Sequence, residues 1–176
     1  DKDVLPLPVA EMDFEVAEPI RQVLIEMVTH SDLGYLGPIP EAGTAFAGFA
    51  KRRWHWTVDP TQVHMATDVG AAAVEVLRVI TRRGDRVLLN SPIYQNFYNW
   101  INESGVEKVD VPFIYRPELP SDHIPWLIDW DGIEKAYASG IKVHMLCNPH
   151  NPLGRIYEPA DLDRFIDLAR KYNVII

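Results

Sequence analysis

Beyond Asp59-Pro60, short apolar runs alternate with longer stretches in which apolar residues recur at helical intervals. Consecutive βα units produce that alternation, and it commits the chain to an α/β fold: a mainly parallel sheet flanked by helices. Val63–Ala66 is expected to be a strand, and Gly70–Arg83 a helix burying Ala73, Val76, Leu77 and Ile80. Gly84 closes that helix in the left-handed conformation. Arg86–Asn90 is the next strand, followed by a helix over Tyr94–Glu103 with Tyr94, Phe97, Tyr98 and Ile101 on its stripe. Gly105 stops it, and Val106–Phe113 is a strand. Residues 114–126 read as an irregular, proline-rich excursion. Asp131 is the expected N-cap of a helix ending near Gly140. A strand over Lys142–Cys147 and a helix over Pro159–Tyr172 follow, the helix burying Leu162, Phe165, Ile166 and Ala169. Val174-Ile175-Ile176 begins another buried strand without its covering helix, so the sequence is expected to be cut from a longer one.

The region before Asp59 reads differently. Residues 1–16 carry prolines at 6 and 8 and no helical period, which suits an extended arm. Pro19 then opens a helix with Ile20, Val23, Leu24 and Met27 on one stripe. The stretch SDLGYLGPIP (31–40) is rich in turn formers, and a second helix runs from Glu41 to Arg53 with Ala42, Phe46, Phe49 and Ala50 inward. The group Trp54-His55-Trp56 is expected to pack the end of that helix. Residues 1–30 are thus read as arm and first helix, and 31–176 as the front of the main domain.

Composition narrows the possible roles. With 47% apolar and 24% charged residues, 176 residues suffice for a real core and are too apolar for disorder. A net charge of −8 without a basic stripe argues against a nucleic-acid partner. The single cysteine, Cys147, excludes an internal disulfide and fits a reducing, cytoplasmic setting. Charges interrupt every apolar stretch well short of a membrane span, and the amino end lacks the pattern of a signal peptide.

Three loops at expected strand ends could carry chemistry, since ligands of open α/β sheets bind outside the carboxyl ends of the strands. The first is Asn148-Pro149-His150-Asn151-Pro152-Leu153-Gly154, whose two Asn-Pro steps can fix an asparagine amide toward a crevice. The second, Ala66-Thr67-Asp68-Val69-Gly70-Ala71-Ala72-Ala73, opens a helix with small residues. It could offer bare N–H groups to an anion, or serve close helix packing through alanine. Neither the dinucleotide nor the P-loop glycine pattern is present. The third, Asn90-Ser91-Pro92-Ile93-Tyr94, presents an aromatic that could stack on a planar ring or join the helical core stripe. Cys147-x-x-His150 supplies only two potential metal ligands, with no second pair at zinc spacing, and Cys147 reads as an inert residue closing its strand.

Taken together, LPLPVAEMDF (5–14), LGYLGP (33–38), Trp54-x-Trp56-x-Val58-x-Pro60, SPIYQNF (91–97) and CNPHNPLGR (147–155) resemble the fold-type I pyridoxal-phosphate enzymes, the aminotransferase class I/II superfamily. The similarity runs over essentially all 176 residues and is greatest to the MalY/PatB-type cystathionine β-lyases (C–S lyases). It covers roughly the amino-terminal half of such an enzyme. The resemblance implies that Val69 and Gly70 give backbone N–H groups to the cofactor phosphate. It implies that Tyr94 stacks on the pyridine ring and that Asn151 hydrogen-bonds the phenolic oxygen. It further implies that Tyr35 reaches the phosphate of the neighbouring subunit in a homodimer, and that Val9, Ala10 and Glu11 line the substrate entrance.

Three departures stand out. Glu11 replaces the subgroup's usual aspartate, and Asp68 stands where a glycine is usual, placing a carboxylate beside the expected phosphate unless it caps the helix. The six lysines, at 2, 51, 108, 135, 142 and 171, match no Schiff-base motif, and the aspartate that pairs the pyridinium would follow the terminal strand. The implied activity is α,β-elimination from a sulfur-containing amino acid such as cystathionine. An aminotransferase on the same scaffold is the nearest alternative, and a non-catalytic truncated binding protein is one of another class.

Overall fold

The computed structural model describes residues 10–11, 14–35, 37–120 and 123–176, which form two compact units, Asp1–His64 and Met65–Ile176. Most of the expected arm, Val9 included, lies outside the described residues. In the first unit, helices α1 (Glu18–Thr29) and α2 (Pro40–Trp54) each carry proline in the first turn, where a missing N–H costs no hydrogen bond. His55 ends α2 in the left-handed conformation, φ 53°. The rings of Phe46, Phe49, Trp54 and Trp56 gather there edge to face, with centroids 5.1 to 6.2 Å apart. Phe49 nonetheless stays largely exposed, contrary to the inward reading. A short 3-10 turn, Pro60–Gln62, packs so closely on α2 that a Cβ on Gly43 would collide with the Pro60 carbonyl. This contact lies within the first unit.

The second unit contains α3 (Val69–Ile80), β1 (Arg86–Leu89), α4 (Asn96–Ser104) and β2 (Glu107–Asp110). A two-stranded ribbon of β3 (Ile114–Tyr115) and β4 (Trp126–Leu127) precedes α5 (Trp130–Ala138), β5 (Val143–His144) and α6 (Pro159–Tyr172). The sheet order is β2-β1-β5, all parallel, and Ile175 bridges in parallel to Val143, where the terminal apolar run begins another strand. Alternation along β1 divides the core. Val87 and Leu89 pack with Val143 and with Leu77 and Ile101 of α3 and α4. Leu88 points into the opposite cluster with Ile133, Tyr137, Phe165 and Leu168 of α5 and α6. The result is a helix–sheet–helix sandwich, as the alternation of the sequence requires.

Several expected boundaries move. Val63–Ala66 forms no strand; its side chains are mostly exposed, and no neighbouring strand takes its backbone groups. Helix α3 stops at Ile80, because the Thr81 hydroxyl turns back to the Leu77 carbonyl at 2.5 Å and the Asp85 carboxylate accepts the Arg82 N–H at 2.8 Å. Gly84 is left-handed, φ 89°, but in the turn that follows rather than at the helix end. Val76 faces solvent, and Val74 joins Leu77 in the core instead. Asp129, not Asp131, caps α5 by accepting the Gly132 N–H at 2.9 Å. On α6 Ile166 is exposed and Leu168 is buried, so the inward stripe runs through Phe165, Leu168 and Ala169. The stretch 114–126 is not wholly irregular, since its ends pair as β3 and β4.

Candidate functional site

From β1 the chain passes through α4 to β2 on one side, whereas β5, on the other side of β1, leads through α6 to the bridge at Ile175. The connections leaving β1 and β5 therefore run to opposite sides, and the carboxyl ends of these strands form the switch in strand order outside which open α/β sheets bind their ligands. Two of the three candidate loops meet there. The Tyr94 N–H donates to the Asn151 carbonyl at 2.9 Å, and the His150 side chain lies 2.8 Å from the Pro92 carbonyl. Helix α4 begins only at Asn96, so Tyr94 sits in the loop before it with its ring 41% exposed. Its hydroxyl accepts from Asn96 Nδ2 at 2.9 Å. Asn151 is exposed, and its side-chain amide has no hydrogen-bond partner among the described residues.

The 148–155 loop is held from several directions. His150 N–H donates to the Arg155 carbonyl at 2.7 Å, and Gly154 N–H to the His150 carbonyl at 2.8 Å. The Arg155 guanidinium ties this loop to the Trp126 carbonyl (3.0 Å) and to Asp161 on α6 (3.1 Å). Both Asn-Pro peptides and Ser91-Pro92 are cis. Cys147 donates its thiol to the Pro149 carbonyl and accepts the Asn151 N–H, each at 3.4 Å. The sulfur is thus a loop brace. Among the described residues no group of three His, Cys, Asp or Glu side chains could hold a metal.

The third loop opens α3. Asp68 caps the helix: its Oδ1 accepts the Ala71 N–H at 2.9 Å and its carbonyl the Ala72 N–H at 3.1 Å. The amides of Val69 and Gly70 are then the uncommitted donors of the first turn. A Cβ on Gly70 would stand 2.7 Å from Trp100 Nε1 and 2.9 Å from Asp68 Oδ1, so glycine is required by the close approach of α4. Trp100 touches Phe97 at 4.9 Å between centroids, and the Phe97 N–H donates to the Tyr94 carbonyl at 3.0 Å. A chain of contacts therefore links the α3 amino end to Tyr94. Ala10, Glu11 and Tyr35 lie in the first unit, all exposed.

Beneath the strand ends the structure reveals polar residues that sequence reasoning missed. His144 is fully buried on β5, with Nε2 2.7 Å from Asn90 Oδ1 and Nδ1 2.7 Å from the Tyr137 hydroxyl. Asn90 Nδ2 donates to the Val111 carbonyl at 2.9 Å, so its oxygen faces the histidine and His144 carries its hydrogen on Nε2. Burial lowers the His144 pKa to about 3, and the nearby His150 adds to the effect. Burial likewise raises the pKa of Tyr137. The one available signal was a histidine inside an otherwise apolar strand run, Val143 to Leu146.

Comparison with known proteins places this geometry in context. The aminotransferase class I and II family model matches residues 2–176. Cystathionine beta-lyase PatB of Bacillus subtilis (strain 168) is 30% identical over 175 residues, which make up 99% of this chain and 44% of that protein. The PLP-bound C-S lyase from Staphylococcus hominis superposes with a TM-score of 0.82 at 26% identity, over 94% of this chain and 41% of that one. Cystalysin from Treponema denticola, whose crystal structure contains a pyridoxal 5'-phosphate cofactor, gives a TM-score of 0.83 at 25% identity, over 97% of this chain and 42% of that one. The chain spans less than half the length of each of these relatives.

Proposed function

The chain belongs to the aminotransferase class I and II family, and from that premise we propose that it is the front portion of a pyridoxal-phosphate-dependent C–S lyase. The observation that carries this reading is the backbone hydrogen bond between the Tyr94 amide and the Asn151 carbonyl, which joins the loop of an exposed tyrosine to the loop of an exposed asparagine at the switch point. The residues present fit the cofactor. Val69 and Gly70 offer free N–H groups to its phosphate at the positive end of α3. Asp68 is compatible because it is engaged as the cap. Tyr94 would stack on the cofactor ring, and Asn151 Nδ2 would donate to its phenolic oxygen. Bound there, pyridoxal phosphate supplies the electron sink for the pair released at the substrate α-carbon.

The reaction takes a β-thio amino acid and water to a thiol, pyruvate and ammonia; the C–S bond breaks and the sulfur leaves as thiolate. In this reading the base is a lysine of the complete protein, as the family resemblance implies; none of the described lysines lies in the three loops. The family resemblance, rather than any contact among the described residues, supports a homodimer in which Tyr35 of each subunit reaches its neighbour's cofactor phosphate, and the assignment of Ala10 and Glu11 to the substrate entrance. The lone cysteine suits a cytoplasmic location, and among the described residues no helix is long and apolar enough to cross a membrane.

An aminotransferase is the second reading, since the family includes that chemistry and these loops hold the cofactor without choosing the reaction. The test is to supply the complete protein with cystathionine and no keto acid. Equal amounts of thiol and pyruvate are expected. Amino-group transfer only on adding a keto acid would select the aminotransferase, and neither activity with no bound cofactor would leave a non-catalytic protein. Asn151→Ala should weaken cofactor retention about tenfold, the loss expected of one hydrogen bond to a charged oxygen. An unchanged spectrum and turnover would remove that assignment.

A further inference from the structure

His150 has no part in the roles assigned above, yet it is only 1% exposed directly beneath the loop that carries Asn151. Its Nε2 lies 2.8 Å from the Pro92 carbonyl, a group that only accepts, so Nε2 bears the hydrogen and donates. Nδ1 is then left to accept from the Tyr157 hydroxyl at 3.2 Å. The backbones of Cys147 and Asn90, in the segments that follow β5 and β1, also face the ring, and burial holds its pKa below the usual histidine range. Phe113 and Tyr157 stand edge-on to it, with centroids at 4.8 and 6.4 Å. The main chain is fixed as well, through the bonds to Arg155 and Gly154.

Two hydrogen bonds therefore join the loops: one from the His150 side chain to the Pro92 carbonyl, the other from the Tyr94 amide to the Asn151 carbonyl. A single bond would act as a pivot, leaving the loops free to rotate about it. Two bonds, between residues 92 and 94 on one loop and 150 and 151 on the other, set an orientation. We infer that His150 is a positioning residue whose Nε2–H clamps the β1 loop to the β5 loop and so fixes Tyr94 and Asn151 relative to each other. The inference rests on the proposed cofactor site. It assigns to His150 no contact with substrate or cofactor.

The test uses the complete protein, its cofactor removed and titrated back. His150→Leu keeps an apolar filling but no donor, leaving the half-buried Pro92 carbonyl without the His150 hydrogen bond. Cofactor affinity should fall about tenfold, and the visible circular dichroism of the bound cofactor, which reports ring orientation, should weaken. His150→Gln keeps a donor near the Nε2 position and should restore both to within about threefold of wild type. Wild-type affinity and dichroism in the leucine variant would overturn the inference. So would a folded glutamine variant as impaired as the leucine one, since shape rather than the donor would then be at work. Should the leucine variant not fold, Tyr157→Phe frees Nδ1 and is expected to weaken the dichroism; an unchanged signal there would likewise overturn it. Asn151→Ala separates the two levels. If it binds cofactor normally the site itself is misassigned, whereas if it fails while His150→Leu binds normally only the clamp falls.

Discussion

A histidine sealed inside a core is a linkage between folding and pH, and His144 provides the clearest case. In the unfolded chain its pKa is near 6.5; in the folded protein it is held at about 3 because the imidazolium would lose its hydration. The unfolded state thus takes up the proton first as pH falls. The stability contributed by this site is complete above about pH 6.5 and drains away as pH drops toward 3. A tenfold difference in proton affinity between the two states corresponds to about 1.4 kcal/mol, so the loss at low pH is on the order of a few kcal/mol. His144→Gln, which can still donate to Asn90 and does not titrate, should show a shallower decline in unfolding free energy between pH 7 and about 4.5. Denaturant titrations at the two pH values measure it. Equal slopes in variant and wild type would mean that His144 is not the linked group.

Helix α3 combines two demands on one residue. Asp68 satisfies the Ala71 amide and so stabilises the first turn, but it also sets a negative charge where the proposed phosphate would bind. The two effects can be separated by substitution. Asp68→Ala removes cap and charge together and should cost about 1 kcal/mol in stability. Asp68→Ser keeps a capping oxygen without the charge; stability should be nearly preserved, and cofactor should bind on the order of threefold more tightly as repulsion is relieved. Thermal melts and cofactor titration of the complete protein check both. A serine variant that binds no better would mean that Asp68 faces away from the phosphate. Elsewhere the helices end by ordinary local means. Helix α6 has a reciprocal capping box between Glu158 and Asp161 at its start and left-handed Asn173 at its end, which is why its limits matched the sequence reading.

At the level of the whole molecule, a site that draws on a second subunit, as proposed, would couple assembly state to cofactor retention. The complete protein is expected to sediment as a dimer. Tyr35→Phe, which removes one hydroxyl from a fully exposed ring, should leave the dimer intact yet loosen the cofactor about tenfold if that hydroxyl reaches the neighbouring phosphate. Unchanged retention in the dimeric variant would restrict the site to residues of one subunit.

The fold class was legible in the sequence because a parallel sheet covered on both faces leaves a simple mark: apolar β-branched runs separated by helical periods. Two of the three expected strand-end loops were legible too, since proline acts on its own backbone wherever it stands; the third, 66–73, follows no strand. Strand and helix limits were less so. Whether Val63–Ala66 pairs, or whether Val76 or Val74 faces inward, depends on which partner arrives, and no local pattern encodes the partner. The candidate site divides in the same way. Tyr94, Asn151, Val69 and Gly70 became candidates through their loops and the family resemblance, whereas the bond between the Tyr94 and Asn151 loops and the buried pairings of His144 and His150 join residues far apart in the chain. Those contacts exist only once the sheet has brought the ends of β1 and β5 side by side. Sequence supplied the chemical groups; tertiary structure decided which of them meet, because a hydrogen bond needs its two atoms about 3 Å apart and chain order does not measure that distance.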